Sequence, residues 1–416
     1  MPKNLCQEGV FARNAACHSI RMPSSAIAAA QDYKHYQQSL NRDSWIFLLR
    51  CNLRLENFNW SSGLFIILYH LALLIALPIY ISHRTPQAGL ILASLILLFL
   101  SGISISAGYH RFYAHKSYNA SKIVEVVLLF FATMALEGSV LRWSSQHRLH
   151  HRFTDKEQDP YPIKKGFLYA HILWIFEKYR PIDMTVVPDL VKNKIVMFQN
   201  RHYALLGTLT NIVSTLFIWW LTGDIFGSIV ISLIARIFLL HHLTFFINSL
   251  AHTWGARTYS GEQTAVDNYI IALLTFGEGY HNYHHVFTSD YRNGVKWYHF
   301  DPGKWLVWIL SKLRLTGGLR KMDQYFIKKT IIRKDKAILL EKLRECKYLQ
   351  KESFENKVNK MSEKIMLKLS ELSRLSHEYA QSRHRTIRKQ MREFKKGLNG
   401  LWREWGSLSR QVMNFS

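Results

Sequence analysis

The sequence is poor in cysteine. Its four cysteines, Cys6, Cys17, Cys51 and Cys346, are scattered over 416 residues. They are too few and too far apart for a disulfide framework or a thiolate metal site, and this usage fits a reducing compartment. Any redox chemistry must therefore use other ligands.

Acidic residues are also scarce. The chain has 29 aspartates and glutamates against 54 lysines and arginines, a formal net charge of +25. With 48% hydrophobic and 13% aromatic residues, the composition excludes disorder for most of the chain. Uncharged apolar stretches of about 20 residues exclude a purely soluble protein. In a chain that enters a membrane, the surplus of positive charge indicates contact with anionic lipid, and no nucleic-acid partner is needed to explain it.

Four apolar windows are each near the length of about 20 residues that a helix needs to cross the hydrocarbon of a bilayer. The windows are residues 64–82, 88–108, 203–222 and 226–248. Within each pair of windows the connection is only a few residues long, which is enough to turn the chain but little more. The pattern therefore predicts two helical hairpins.

Three segments then share one face of the membrane: roughly the first 60 residues, the stretch from about Gly108 to His202, and everything after Asn248. Every lysine and arginine lies in these segments except Arg84, in an outer turn, and Arg236, within the fourth window. The positive-inside rule makes the shared face cytoplasmic.

The sequence thus predicts an all-α integral membrane protein, with four transmembrane helices in two hairpins and a cytoplasmic helical cap. A fifth apolar stretch, Ile123 to Leu141, carries Glu125 and Glu137. We expect it to lie as a helix against the membrane surface or the cap rather than to cross. The predicted parts are a cytoplasmic N-terminal segment (1–60), a membrane domain (61–320) and a C-terminal extension (321–416).

Nine of the 20 histidines fall into clusters beside the predicted spans. The clusters are His110 and His115; His147, His150 and His151; His281, His284 and His285; and His252, which follows Asn248 by four residues. On a helix, residues at i, i+3 and i+4 share a face, so each H-x2-HH run can direct its imidazoles toward a common point. If the second and fourth spans continue as helices to His115 and His252, all the clusters can converge just above the membrane.

Imidazole is a good ligand for iron, zinc, copper or nickel. Nine histidines exceed what one ion needs, because four ligands satisfy a structural zinc. The count therefore indicates two ions. Surface histidines beside a basic membrane face are the ordinary alternative, but two H-x2-HH runs with an H-x4-H and an N-x3-H make it a poor explanation.

These boxes resemble those of the membrane fatty acyl desaturase family, in the branch of animal stearoyl-CoA desaturases and bacterial acyl-CoA desaturases. The resemblance covers roughly Leu64 to Leu310 and includes Asn248-Ser-x-x-His-x-x-Gly255, Thr275-Phe-Gly-Glu-Gly-Tyr-His-Asn-Tyr-His-His285 and Asp290-Tyr-Arg-Asn-Gly294. It implies a non-haem di-iron centre held by the nine histidines, with Asn248 reaching one iron through water and O2 as co-substrate. The implied reaction is insertion of a cis double bond, with Δ9 as the family expectation, into a saturated acyl-CoA.

Some positions depart from the acyl-CoA members of the animal type. Where those typically have Arg-Asp before the second box and Gln-Asn upstream, this chain has Ser145-Gln146 and Glu137-Gly138, and Phe245 replaces a common Trp. Glu137, Gln146 and Phe245 are thus candidate substrate contacts. The basic residues Lys164, Lys165, Lys178 and Arg180 are candidates for binding CoA phosphates, although a basic loop is equally expected beside anionic lipid. Phospholipid and carrier-protein esters stay open as substrates.

Two other functions are compatible with parts of the pattern. A lipid or alkane hydroxylase of the same fold would share the metal site, and a histidine-rich metal transporter would need ionisable ligands inside its spans. The sequence contains no His-Pro-Gly-Gly, no C-x2-C and no G-x-G-x-x-G after a strand. We therefore expect a separate electron donor, a ferredoxin or a cytochrome b5 with its reductase.

The C-terminal extension is polar and basic, and apolar residues recur there at 354, 358, 361, 365, 372, 375 and 379, with Lys368 at one core position. This 4-3 spacing predicts a coiled coil, as a helical hairpin or a dimerising stalk near anionic lipid. A solvated, fraying helix is the alternative. Trp402 and Trp405, with Leu401 and Leu408, are expected to dip into the membrane interface.

Overall fold

The computed structural model describes residues 58–178, 180–345 and 351–415. All four cysteines and nearly all of the predicted N-terminal segment lie outside these residues. In chain order the α-helices are α1 (Trp60–His83), α2 (Ala88–Ser104), α3 (Lys122–Thr133), α4 (Val140–Phe153), α5 (Phe167–His171), α6 (Pro188–Val191), α7 (Lys194–Arg201), α8 (Tyr203–Thr222), α9 (Ile225–Gly227), α10 (Arg236–Ser249), α11 (Tyr269–Leu274), α12 (His281–Val286), α13 (Pro302–Lys312), α14 (Gln324–Glu345), α15 (Lys351–Ser382) and α16 (Arg385–Met413).

Other secondary structure is short. Two π-helices, Ile105–Ala114 and Ser228–Ala235, continue α2 and precede α10, and 3-10 turns occupy Ile163–Lys165, Leu173–Phe176 and Leu250–His252. Two-residue strands, β1 (Asn119–Ala120) and β2 (Thr316–Gly317), pair antiparallel. The described residues are thus mostly helical, and the sequence did not predict this minimal sheet.

Four continuous helical segments are long and apolar enough to cross a membrane. They are Trp60–His83, Ala88–Ala114, Tyr203–Thr222 and Ile225–His252, which we call the first to fourth spans. The second and fourth contain 27 and 28 residues, or about 40 Å at 1.5 Å per residue. They therefore reach beyond a hydrocarbon core of about 30 Å, as expected, and carry His110 and His252 at their ends.

The spans meet at the ends farthest from the histidines. Tyr80, Leu90, Ile218 and Val230, one from each span, form a buried cluster there. Tyr80 donates a hydrogen bond to Asp224 (2.6 Å), and Arg84 lies 3.7 Å from the other oxygen of the same carboxylate. The two short connections between spans are thereby linked.

Arg236 is a charged residue in the middle of the fourth span, and it is only 2% exposed. Its Nε donates to the carbonyl of Ser232 at 2.7 Å, and its Nη2 donates to the side-chain oxygen of Asn211. The cation therefore faces the interior of the bundle and is kept away from lipid.

The fifth apolar stretch does not form one helix. α3 ends at Thr133 after 12 residues, and α4 begins at Val140. Between them Leu136 and Gly138 have φ values of 57° and 98°, which no helix accommodates. α3 spans only about 18 Å and cannot cross a bilayer. It packs one face on the second span and exposes Ile123 and Val126 on the other, consistent with a surface position.

The C-terminal helices α14, α15 and α16 pack together as a three-helix bundle, which was predicted only as a hairpin or a stalk. Val358, Ile365, Leu372 and Leu375 of the predicted stripe are buried in its core. At Lys368 the stripe shifts by one residue, since Leu369 is buried instead while the Lys368 ammonium lies over the ring of Phe394.

The expected interfacial position is wrong for two residues of α16. Trp405 and Leu408 are 3% and 6% exposed inside this bundle, and Leu401 and Trp402 pack against the same core. Because its aromatic face is buried against its own chain, α16 has little apolar surface left for lipid.

Candidate metal centre

The first histidine pair lies on a π-helix. An α-helix makes one turn every 3.6 residues, so two side chains five residues apart would point about 140° away from each other. Here residues 105–114 form a π-helix, and the amide of His115 donates to the carbonyl of His110 at 3.0 Å. This i→i+5 bond completes a turn between the two residues, so both imidazoles point to the same side.

The second and third boxes lie on α4 and α12, and each divides its histidines between two groups. The first group is His110, His115, His147, His151 and His284; the second is His150, His252, His281 and His285. The i, i+4 pair of each box stays together, whereas the histidine at i+3 joins the other group. The expectation that each box serves a common point is therefore wrong, because i+3 and i+4 diverge enough to reach two separate points.

The ligand atoms in each group converge. Neighbouring Nε2 atoms of the first group lie 2.8 to 3.1 Å apart. In the second group, Nε2 of His281 is 3.1 Å from that of His252 and 3.0 Å from that of His285. Two nitrogens at right angles around an ion at about 2.1 Å would be about 3.0 Å apart. The donor atoms and their spacing thus fit a transition metal in each group.

Most of these imidazoles are held neutral. Burial, and then the neighbouring histidines, lower the pKa values of six of them well below the usual range: His115, His147, His151, His281, His284 and His285. A neutral imidazole keeps one nitrogen lone pair, which is the form that binds metals.

Glu278 supports the first group from behind. Its Oε2 lies 2.9 Å from Nδ1 of His110, and its Oε1 accepts hydrogen bonds from Ser106 (2.5 Å) and Arg111 (3.1 Å). Asn293 donates to Oε2 at 2.5 Å. Although burial raises the pKa of Glu278, His110 and Arg111 lower it to about 2. An ionised carboxylate behind a ligand histidine fixes its ring and compensates the charge of a bound cation.

Two glycines allow Glu278 to take this position. Gly277 has φ +96°, where a side chain would be strained, and its Cβ would lie 2.8 Å from the backbone of Asp301. A Cβ on Gly279 would lie 2.1 Å from the backbone nitrogen of Ala272. The Gly-Glu-Gly sequence is therefore required by the close approach of three chain segments.

The second group has comparable outer partners. Nδ1 of His150 donates to Asp159 at 2.9 Å. Nδ1 of His252 lies 2.8 Å from the hydroxyl of Thr264, which donates to Asp155 at 2.7 Å. Since that hydroxyl proton goes to Asp155, Thr264 accepts from His252. Both bonds fix Nδ1 as protonated and leave the Nε2 lone pair for the metal.

Arg148, inside the second box, locks the boxes together. It donates to the carbonyls of Ala114 (2.9 Å) and Tyr113 (2.7 Å) beside the first box, and pairs with both oxygens of Asp189 at 2.7 and 3.0 Å. Burial raises the pKa of Asp189, but Arg148 lowers it to about 2. The bonds to the two carbonyls hold α4 against the end of the second span, and the bidentate pair holds α4 against α6.

A cavity of about 730 Å³ borders the histidines and runs between the spans. Its wall includes His110, His147, His150 and His281 of both groups, and Phe65, Ile66, His241 and Thr244 of the first and fourth spans. Of the predicted substrate contacts, Glu137, Gln146 and Phe245 line it, as does Asn248. Lys164, Lys165, Lys178 and Arg180 are exposed and do not line it. The carbonyl of Arg180 accepts from Arg142, a cavity residue, at 3.2 Å.

Glu137 is a carboxyl group in this wall. Trp143 donates to its Oε2 at 3.3 Å, and Trp143 stacks on the ring of His147 with centroids 4.9 Å apart. Burial raises the pKa of Glu137 to about 7. The carboxyl group is thus one side chain away from a histidine of the first group.

Sequence reasoning missed the outer partners. Glu278 stands three residues before the third box, and Asp155 and Asp159 follow the second box by four and eight residues. A carboxylate close to a histidine box was the available signal. Thr264 and Asp189 carried no local signal, because tertiary packing alone brings them to the site.

Four helices that are long and apolar enough to cross a membrane, together with two histidine groups that could hold metal ions, are the features of a membrane metalloprotein. The chain belongs to the fatty acid desaturase family, whose sequence model matches residues 84–308. This membership implies iron as the metal.

Several relatives are similar over more than half of this chain. A "Probable acyl-CoA desaturase" of Schizosaccharomyces pombe is 39% identical over 277 residues, 65% of this chain and 58% of that protein. "Acyl-CoA desaturase 1" of Saccharomyces cerevisiae is 37% identical over 262 residues, 61% of this chain and 51% of that protein. "Stearoyl-CoA desaturase 5" of Homo sapiens is 30% identical over 282 residues, 65% of this chain and 84% of that protein. The match thus spans little more than half the length of the two yeast proteins.

Proposed function

We propose that this chain is an acyl-CoA desaturase that uses O2 to insert a cis double bond near the middle of a saturated acyl chain, with position 9 as the family expectation. The observation that carries the proposal is the convergence of two groups of imidazole nitrogens on a long cavity of about 730 Å³. The relatives are named acyl-CoA and stearoyl-CoA desaturases, which supports the CoA ester as substrate.

Two iron ions are the proposed cofactor, one in each histidine group. Asn248, on the cavity wall four residues before His252, is proposed to reach one iron through water. When bound, the irons supply the activation of O2 that the reaction needs. Nine neutral ligands leave such a centre cationic, and the carboxylates of Glu278 and Asp159 compensate part of that charge from the outer shell.

The protein's own contribution is positioning. The C–H bonds in the middle of an acyl chain have no acidic proton and no leaving group, so acid–base or nucleophilic catalysis cannot start. In the balanced reaction, –CH2–CH2– with O2, two electrons and two protons gives –CH=CH– and two waters. The cavity must therefore hold one pair of carbons against the histidine groups and limit access of water.

Glu137, Gln146 and Phe245 are proposed to contact the substrate from the cavity wall. The exposed cations Lys164, Lys165, Lys178 and Arg180 are proposed to meet the phosphates of CoA outside it. Arg142 supports this division, because it lines the cavity and also binds the carbonyl of Arg180.

We further propose four transmembrane helices in two hairpins, with the histidines on the cytoplasmic face. Connections of four residues (84–87) and two residues (223–224) between paired spans support the hairpins. The proposed parts remain 1–60, 61–320 and 321–416. A separate ferredoxin or cytochrome b5 with its reductase is proposed as electron donor, and self-association through the C-terminal helices stays a prediction.

The alternatives are not favoured. A lipid or alkane hydroxylase would share the metal site, but the matched relatives carry desaturase names. A metal transporter needs a path for the ion through the spans. The clustered histidines instead lie at one end of the spans and in the adjoining helices.

Expression in a host that lacks its own desaturase tests the proposal. We expect new cis-unsaturated fatty acids, with the double-bond position fixed by derivatisation and mass spectrometry, and two irons per purified chain. Unchanged acyl chains despite bound iron and a supplied electron donor would contradict it. Hydroxylated products would indicate the hydroxylase instead.

A further inference from the structure

The outer surface of α16 carries a dense patch of positive charge. Six cations lie within its first 12 residues, and all are exposed: Arg385, Arg388, Lys389, Arg392, Lys395 and Lys396. Glu393 is the acidic residue among them. Within the described ranges, none of the six forms an ion pair with a carboxylate. We call these six residues the basic face.

The opposite side of α16 is not available for binding. Ile387, Leu398, Trp405, Leu408 and Val412 are buried in the core of the three-helix bundle. A helix that lies in a membrane interface needs an exposed apolar side to insert among the acyl chains. The basic face therefore offers charge without an apolar anchor, which suits an acidic protein surface better than a bilayer.

The bundle is attached to the element that carries the third histidine box. Ile327 of α14 packs with Tyr283 of α12 and with Phe287, and the rings of Phe326 and Phe287 lie 6.1 Å apart. Asp290 accepts a hydrogen bond from the amide of Met322 at 2.8 Å. The start of α14 is thus fixed directly beside His281, His284 and His285.

The basic face lies at this same end of the bundle. Ser373 of α15 donates to Asp323, one residue before α14, at 2.7 Å, and Lys368 of α15 lies over the ring of Phe394 of α16. Burial, and then the charge of Lys395 on α16, lower the pKa of Lys328 on α14. Lys328 is one residue from Ile327, which touches the metal-binding helix region. The cations therefore lie at the end of the bundle that packs beside the third histidine box.

A dense patch of exposed positive charge favours an anionic partner. We propose that the basic face of α16 is the docking surface for an acidic one-electron carrier protein that supplies the reaction. This inference rests on the proposed function, which draws two electrons per double bond from outside the chain. Opposite charge steers such encounters and raises their rate, with a strong dependence on salt.

The test uses the full chain, loaded with iron and held in nanodiscs of phosphatidylcholine. Two electron carriers are tried: the soluble haem domain of cytochrome b5 with its reductase, and a ferredoxin with its reductase. The concentration of the carrier that supports turnover of the unaltered chain is then varied. The basic-face variant combines Arg388→Gln, Lys389→Gln, Arg392→Gln, Lys395→Gln and Lys396→Gln. A matched control removes five exposed cations elsewhere in the bundle: Lys357→Gln, Lys360→Gln, Lys364→Gln, Arg403→Gln and Arg410→Gln.

We expect the basic-face variant to raise the KM for the carrier by about tenfold or more, with kcat at saturating carrier unchanged and the control near the unaltered value. Added salt should raise the KM of the unaltered chain and have little effect on the variant. A single turnover driven by dithionite should give equal product from all three proteins, which shows that folding and iron are intact.

Equal KM values in the variant and the control would overturn the proposal. So would a variant that keeps its carrier KM but loses a stimulation by phosphatidylserine in the nanodiscs, because the face would then bind lipid. If the unaltered chain gives no unsaturated product even in the dithionite experiment, the proposed function fails, and that outcome is distinct from failure of the docking surface.

Discussion

This molecule contains two sets of clustered histidines, and their ring nitrogens have different partners. In the two groups that could hold metal, the Nε2 atoms converge on a point, and the Nδ1 partners of His150 and His252 are a carboxylate and a hydroxyl behind the rings. Between the spans, His70, His242 and His171 are linked in series instead. Nε2 of His70 is 3.0 Å from Nε2 of His242, and Nδ1 of His242 is 3.0 Å from Nε2 of His171.

The direction of this series follows from its first link. Nδ1 of His70 lies 2.7 Å from the carbonyl of Ile66, which can only accept, so that nitrogen carries the proton. His242 must then donate to His70, and His171 must donate to His242. The far nitrogen of His171 lies 3.0 Å from the hydroxyl of Ser249. Every ring nitrogen has a partner, so no lone pairs point to a common centre. Convergence of lone pairs, more than burial or number, distinguishes a metal site from a structural histidine network.

The largest difference between the two sets is expected from His285→Ala. Removal of one of four ligands should empty the second group and, because the two groups share α4 and α12, weaken the first, so iron per chain should fall by well over half and desaturation should fall below detection. Iron analysis of the purified protein and product analysis check this. His83→Ala, at an exposed histidine outside both sets, is the control. Retained turnover in His285→Ala would remove that residue from the site.

A smaller loss is expected from Glu278→Gln. The amide keeps the shape but leaves Arg111 without one of its carboxylates and weakens the partner of His110, and loss of an outer-shell partner typically costs about 10- to 100-fold in metal affinity or activity. Iron titration and kcat are the measurements, with Glu262→Gln, an exposed carboxylate, as control. Wild-type affinity in Glu278→Gln would show that the carboxylate only supports packing.

His242→Phe tests the second set, the series formed by His70, His242 and His171. It breaks both links of the series and leaves buried partners on His70 and His171, so we expect a loss of stability of about 1–3 kcal/mol. Iron content should stay at the wild-type value. Thermal unfolding measures the stability and metal analysis measures the iron content, with His83→Phe as control. A loss of iron like that of His285→Ala would assign the series to the metal centre.

The smallest expected effect is on the pH dependence of stability. Burial, and then His242, lower the pKa of His171 from 6.5 to about 4. Because the folded protein favours the neutral ring, this group's contribution is full above pH 6.5 and is lost as the pH falls toward 4. The melting temperature should fall less over this range in His171→Gln than in the unaltered chain. Iron is measured at each pH, and an identical fall in both proteins at constant iron would contradict this assignment.

The sequence predicts the four apolar helices and the nine clustered histidines because both depend on local pattern. Apolar length decides a membrane helix, and the histidine boxes are contiguous. The division of each box between two groups was not predictable from the rule that i, i+3 and i+4 share a face, since that rule does not resolve the small angle between i+3 and i+4. The π-helix that brings His115 round to His110 has no composition of its own, so only the i→i+5 bond reveals it.

Contacts between segments that are distant in the chain could not be predicted from the sequence either. The sequence shows Trp405 and Leu408 as an apolar stripe on a basic helix, which fits a membrane interface as well as a protein core. Only the contacts with α14 and α15 decide in favour of the core. Similarly, Thr264 and Asp155 are 109 residues apart in the chain, and their bond behind His252 depends on the fold as a whole.

The division of each box between two groups makes α4 and α12 shared supports. A rotation of either helix that withdrew His150 or His284 from one group would also displace the i, i+4 pair of the other. The two ions are therefore expected to enter and leave together, as a cooperative pair, and a chain with a single ion should be a minor species at every stage of loading.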